Sequence, residues 1–179
     1  RSRMEVGRLA DSLVGYREIE YQNIPLSDQV HDNQGGGFPS SMGEMYVGLL
    51  DNAQPSLLQV FHALLDCPEG CVLFHCTAGK DRTGTVAMLL LKLGGVDDAT
   101  IVADYAATES NMPPWENLRH SAKTELGVEL PEHIFRSQAF DMEYLLSHLE
   151  KAYGGAEEYL LKIGLSRNRI ASLKERFAG

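Results

Sequence analysis

The stretch His75-Cys76-Thr77-Ala78-Gly79-Lys80-Asp81-Arg82-Thr83-Gly84 lies between two apolar runs of different length. The run leading in, Cys71-Val72-Leu73-Phe74, is short and predicts a buried strand. The run leading out, Val86 to Leu93, predicts a buried helix. A strand–loop–helix unit aims several backbone N–H groups, and the positive end of a helix dipole, at one point in its loop, which makes an anion site. Cys76 sits inside that site, where its thiolate, the reactive form of sulfur, is stabilised. Arg82 follows after five intervening residues and can grip two oxygens of a phosphate with its planar guanidinium. A nucleophile inside a phosphate cradle points to attack of sulfur on phosphorus.

His-Cys-x5-Arg-Thr-Gly resembles the phosphate-binding loop of the cysteine-dependent phosphatases of the protein tyrosine and dual-specificity class. With Gly79-Lys80-Asp81 inside the loop, the string is similar to the bacterial tyrosine and phosphoinositide phosphatases, including those of mycobacteria and Listeria. The resemblance implies a phosphomonoester hydrolase working through a cysteinyl-phosphate without metal or other cofactor. Its substrates would be phosphorylated proteins (phosphotyrosine, and phosphoserine or phosphothreonine) or phosphoinositides. It also implies a bacterial protein, cytoplasmic or secreted.

Four other readings compete. A loop of this form can bind an anion without turning it over, as in a pseudophosphatase or adaptor. A nucleotide-binding loop, Gly-x4-Gly-Lys-Ser/Thr, would need glycine at Phe74 and a hydroxyl at Asp81. Zinc is suggested by the nearness of Cys67, Cys71, His75 and Cys76. Against it, there are no paired Cys-x2-Cys knuckles, and a thiolate bound to metal cannot attack; Cys67 and Cys71 read instead as small buried residues. A rhodanese or arsenate reductase shares Cys-x5-Arg, but the His-Cys and Thr-Gly flanks here match phosphatases.

The chain of 179 residues has room for one substantial core, and residues 1–179 read as a single phosphatase domain. A hydrophobic share of 44% and a charged share of 23% are ordinary for a globular protein. The net charge of −9 argues against nucleic acid as a partner. An anionic substrate is still accommodated, because Lys80, Arg82 and backbone amides act at contact distance while the acidic surface is screened. Three cysteines give no disulfide framework. No apolar run is long enough to span a membrane, and no signal peptide is visible. Nothing in the sequence sets the oligomeric state.

The opening, Arg1-Ser-Arg-Met-Glu-Val-Gly-Arg-Leu-Ala10, reads as a helix start inside a domain. Set against the resembled family, it suggests that an N-terminal segment is missing. Glu18 to Ile24 predicts a strand, followed by a polar, glycine-rich segment to Ser40. Met42 to Asp66 predicts two helical pieces broken near Pro55. Asp97 to Thr108 predicts an amphipathic helix with Ile101, Val102 and Tyr105 spaced for packing. Asn111 to Gln138 is irregular, broken by Pro113-Pro114 and reopened at Pro131. In the resembled enzymes an insertion here can cover the active site as a lid; the residues equally fit a surface helical hairpin. Helices are predicted from Ala139 to Tyr153, over Ala156–Ile163, and from Ser166 through Phe177. The fold class that follows is α/β. It has a mainly parallel central sheet flanked by helices, phosphatase-like, with a helical C-terminal part.

Each loop residue then has an expected role. Cys76 is the nucleophile, and Arg82 binds the equatorial oxygens and stabilises charge during transfer. The backbone N–H groups of Thr77, Ala78, Gly79, Lys80, Asp81 and Arg82 complete the cradle. Thr83 donates its hydroxyl hydrogen to the sulfur, and His75 fixes the loop. Asp81 is the candidate general acid and base; its alternative is to face away and pair with Lys80 or Arg82. Asp28, with Asp32, is the candidate if the acid comes from a separate aspartate loop, though both also suit turn or cap positions. Lys80, a second cation, suits a ligand with more than one phosphate, or is a solvated loop lysine. Asn111 can either position water or end a helix.

Overall fold

The computed structural model describes residues 21–26, 39–67, 71–127 and 129–178, and most of them are helical. The elements are α1 (Met42–Asn52), α2 (Gln54–Asp66), α3 (Asp81–Leu93), α4 (Asp98–Ala106), α5 (Thr108–Asn111) and α6 (Trp115–Leu126). A 3-10 turn (Glu132–Phe135) and α7 (Ala139–Tyr153), α8 (Ala156–Ile163) and α9 (Arg167–Ala178) follow.

The expected parallel sheet is not present: no strand occurs among the described residues. Cys71 to Cys76 runs without secondary structure into the loop, and Tyr21 to Ile24 is likewise no strand. A strand exists only where a neighbouring backbone supplies hydrogen bonds, and no described segment pairs with 71–76. Leu73, read as core, is accordingly 75% exposed. Cys71 is exposed and Cys67 half-buried, so neither is the buried residue expected. Residues 18–20, the opening stretch, the triple glycine and both Asp28 and Asp32 lie outside the described residues.

The helical expectations fare better. The first break falls at Ala53, because Pro55 occupies the first turn of α2, where its missing N–H costs nothing. Ser41 caps α1, its Oγ accepting from Glu44 N–H at 3.2 Å. Asp97 caps α4 through Thr100 N–H at 3.0 Å and Thr100 Oγ1 at 2.8 Å. α3 begins five residues before the apolar run, at Asp81, so the loop is continuous with its first turn: Gly84 N–H donates to Lys80 O at 2.9 Å.

One core joins these helices. α7 contributes Met142, Leu145, Leu146 and Leu149 along one face, all buried. It packs against α1, α4 and α8, while α3 lies against α1, α4 and α8. α1 and α7 approach closely at Gly43, where a Cβ would stand 3.1 Å from the Tyr144 ring. The Gly43 N–H donates there to buried Asp141 at 2.8 Å. None of the described helices is long and apolar enough to cross a membrane.

Candidate active site

The polypeptide enters the loop without regular secondary structure, turns at Gly79 with φ near +70°, and passes straight into α3. Only glycine adopts that φ without strain, and nothing lies near a Cβ there, so the requirement is conformational rather than spatial. The N-terminal amides of α3 therefore face back into the loop, where Cys76 lies half-buried.

Burial alone would raise the Cys76 thiol, and it is the largest single influence. The Thr83 hydroxyl, the Thr83 N–H, the Arg82 charge and the Gly79 N–H together outweigh it, and the thiol ends below its ordinary value. Thr83 Oγ1 is buried and makes no other hydrogen bond, and among the groups that lower the thiol its hydroxyl has the largest effect. Thr83→Ala should therefore raise the thiol. The pH midpoint of Cys76 alkylation by iodoacetamide should move up, from a wild-type midpoint below that of an unperturbed cysteine.

Arg82 lies across the loop, its Nη2 donating to Thr77 Oγ1 at 3.0 Å. Thr77, Ala78 and Gly79 form the exposed rim. His75 is exposed, with Nδ1 2.9 Å from the Cys76 carbonyl, a local tie to the loop backbone. Cys67, Cys71, His75 and Cys76 do not gather into a ligand set, nor does any other group of three such residues among those described.

Lys80 points into the protein, and Asp81 beside it stays partly exposed. Lys80 is 3% exposed, and its ammonium donates to the Arg136 carbonyl at 2.9 Å and meets Asp81 Oδ1 at 2.7 Å. The same Oδ1 accepts from the Tyr46 hydroxyl at 2.6 Å, and Tyr46 lies 2.5 Å from the Tyr105 hydroxyl. Burial, and next the charge of Asp81, push Tyr46 far above the usual phenol range. Burial also raises Tyr105, against the opposing hydrogen bonds of Tyr46 and Ser137. Asp141 is raised by burial, although the Gly43 N–H and the charges of Lys80 and His133 oppose it.

This polar layer under the loop was not foreseen, apart from the pairing of Asp81 with Lys80. It joins α1 (Tyr46), α4 (Tyr105), α7 (Asp141) and the segment before α7. In that segment Arg136 pairs with Glu109 and, at 2.7 Å, with Glu132, while Ser137 N–H donates to Glu109 at 2.5 Å. A sequence signal existed: a buried tyrosine hydroxyl requires a partner that phenylalanine would not. Asn111 donates to Ala107 O at 2.8 Å and ends its helix. α6 packs against the 3-10 turn, and Arg119 and Lys123 both lie 3.5 Å from Glu129. A cavity of about 140 Å³ lies behind the loop, between α3 and α4, lined by Thr83, Met88, Ile101, Tyr105 and Met142.

The loop thus sets a half-buried thiol, held below its ordinary pKa, at a helix N-terminus beside the Arg82 guanidinium. The profile of the tyrosine phosphatase family matches residues 1–179, and the chain belongs to that family. It is 38% identical over 172 residues to a tyrosine-protein phosphatase of Nostoc commune, covering 92% of this chain and 55% of that protein. It is 30% identical over 116 residues to the triple specificity protein phosphatase PtpB of Mycobacterium tuberculosis, covering 58% and 42% respectively. A tyrosine-protein phosphatase-like protein of Saccharomyces cerevisiae, OCA2, is 28% identical over 109 residues, covering 60% and 55%. The chain thus spans about half the length of the curated relatives it matches.

Proposed function

We propose that the protein hydrolyses phosphomonoesters through a cysteinyl-phosphate, with phosphotyrosine as the leading substrate, in one domain formed by this chain. The observation that carries this reading is the Cys76 sulfur, lowered in pKa by Thr83, Arg82 and the loop amides. In the first step the sulfur attacks phosphorus as the bond to the leaving oxygen breaks, and Asp81 protonates that oxygen. In the second, Asp81 takes a proton from water as the water oxygen attacks phosphorus and the thiolate departs.

The acid role of Asp81 is supported by its place in the first turn of α3, beside the nucleophile's loop. Asp81→Asn should lower kcat on phosphotyrosine by about 100-fold or more, and much less on an aryl phosphate whose leaving group needs no proton. Equal losses on both would place the acid elsewhere, with Asp28 next.

A wider range, including phosphoserine, phosphothreonine and phosphoinositides, is supported by similarity to a protein named for triple specificity. Phosphoinositides draw on Lys80 as a second cation, which in this arrangement is engaged with Asp81 and Arg136. The test is metal-free phosphate release from a phosphotyrosine peptide and a short-chain phosphoinositide, with Cys76→Ser as the blank. Hydrolysis of both, with the lipid activity lost selectively in Lys80→Ala, supports the wider range. Hydrolysis of the peptide alone confines the enzyme to phosphoprotein. A folded protein that hydrolyses neither is a phosphate-binding module.

A further inference from the structure

The hydrogens in the line Tyr105–Tyr46–Asp81 can be placed by elimination. Tyr46 donates its single hydroxyl hydrogen to Asp81 Oδ1, 2.6 Å away. The Tyr46 oxygen is then the acceptor across the 2.5 Å contact with Tyr105, and Tyr105 is the donor. Lys80 reaches Oδ1 as well, at 2.7 Å. One carboxylate oxygen therefore holds two donors, while Oδ2 takes no hydrogen bond from the described residues.

We infer that Tyr46 is a positioning residue for proton transfer: backed by Tyr105, it pins Asp81 through Oδ1, so that Oδ2 carries the proton delivered to the leaving group. The inference rests on Asp81 being the general acid, as proposed above.

Three observations support it. Both phenols are raised in pKa, chiefly by burial, and so remain donors throughout the working range. The two rings meet edge to face, with centroids 5.8 Å apart and planes at 83°, which fixes where the hydroxyls can reach. Each tyrosine is rooted in a different core helix, α1 and α4, so the pair is held from two sides. The charged groups around Asp81 are few. Lys80 touches it from the loop, Cys76 and Arg82 share that loop, and Asp141 of α7 acts on Lys80 and Tyr105. His133 of the 3-10 turn acts on Asp141. Of the tyrosines on these elements, Tyr46 alone touches the carboxylate.

The test is the pH dependence of kcat on phenyl phosphate, whose leaving group needs a proton, for wild type, Tyr46→Phe, Tyr105→Phe, Asp81→Asn and the double variant Asp81→Asn/Tyr46→Phe. Wild type should lose activity on the alkaline side. Removing the Tyr46 hydrogen bond should move that limb to higher pH. Below the limb, Tyr46→Phe should lower kcat about tenfold, because the freed carboxyl is no longer aimed. Tyr105→Phe should shift the limb in the same direction by less. In the Asp81→Asn background, Tyr46→Phe should add no further loss. A folded Tyr46→Phe whose limb stays in place, or whose loss multiplies that of Asp81→Asn, overturns the inference. If Tyr46→Phe does not fold, Tyr105→Phe decides by the presence or absence of its shift. An alkaline limb that survives Asp81→Asn removes the acid reading itself, and this inference with it, whatever Tyr46→Phe does.

Discussion

Cys76→Ser should lower kcat on a phosphotyrosine peptide by at least about 10,000-fold, with the fold intact. The substitution exchanges one half-buried atom for a smaller one and leaves the core untouched. What it removes is a group that the loop can ionise. Thr83, Arg82 and the Gly79 amide hold the thiol below its ordinary value, whereas an aliphatic hydroxyl starts many units higher and stays protonated under the same influences. Because the cradle is built from backbone amides and Arg82, inorganic phosphate should still bind the variant. Steady-state kinetics beside a phosphate titration followed by thermal shift would check both halves. A variant with more than a hundredth of wild-type activity would mean that Cys76 is not the nucleophile.

Arg82→Lys should cost about 1,000-fold in kcat despite keeping the charge. In the structure Nη2 is engaged with Thr77, so the guanidinium lies preset across the loop and can present a planar pair of donors to two phosphoryl oxygens. An ammonium is a point charge on a flexible stem and cannot hold both oxygens and the loop at once. The Coulombic help to the thiolate should largely survive. The pH midpoint of Cys76 alkylation should therefore move little while turnover collapses. A variant that loses both together would show that Arg82 acts through the sulfur rather than on the phosphoryl group.

The site's centre was legible because its chemistry is local. The loop from His75 to Gly84 is one turn of chain, so spacing alone brings Cys76, Thr83 and Arg82 together. The helices were legible for a related reason: the stripe of Met142, Leu145, Leu146 and Leu149 repeats at the helical period, and Pro55 and Gly154 mark ends that need no distant partner. The four-residue run at 71–74 misled because apolar character states a preference for burial, while a strand also needs a neighbour to pair with. Leu73 is exposed, and no described segment supplies that neighbour. Tyr46, Tyr105 and Arg136 escaped notice for the opposite reason. Their bonds to Asp81, Tyr46 and Lys80 join residues 35, 59 and 56 positions apart, and no periodicity encodes such distances. Tyr105 reads as one more packing residue on an amphipathic helix until its hydroxyl is placed.

The central claim is that phosphorus passes through sulfur. It is met most directly by rapid quenching of the enzyme with a radiolabelled phosphotyrosine peptide, followed by digestion and mapping of the label. A covalent route predicts acid-stable label on the peptide that contains Cys76, forming faster than steady-state turnover and absent in Cys76→Ser. Phosphate release with no labelled enzyme at any time, or with label on another residue, would contradict it.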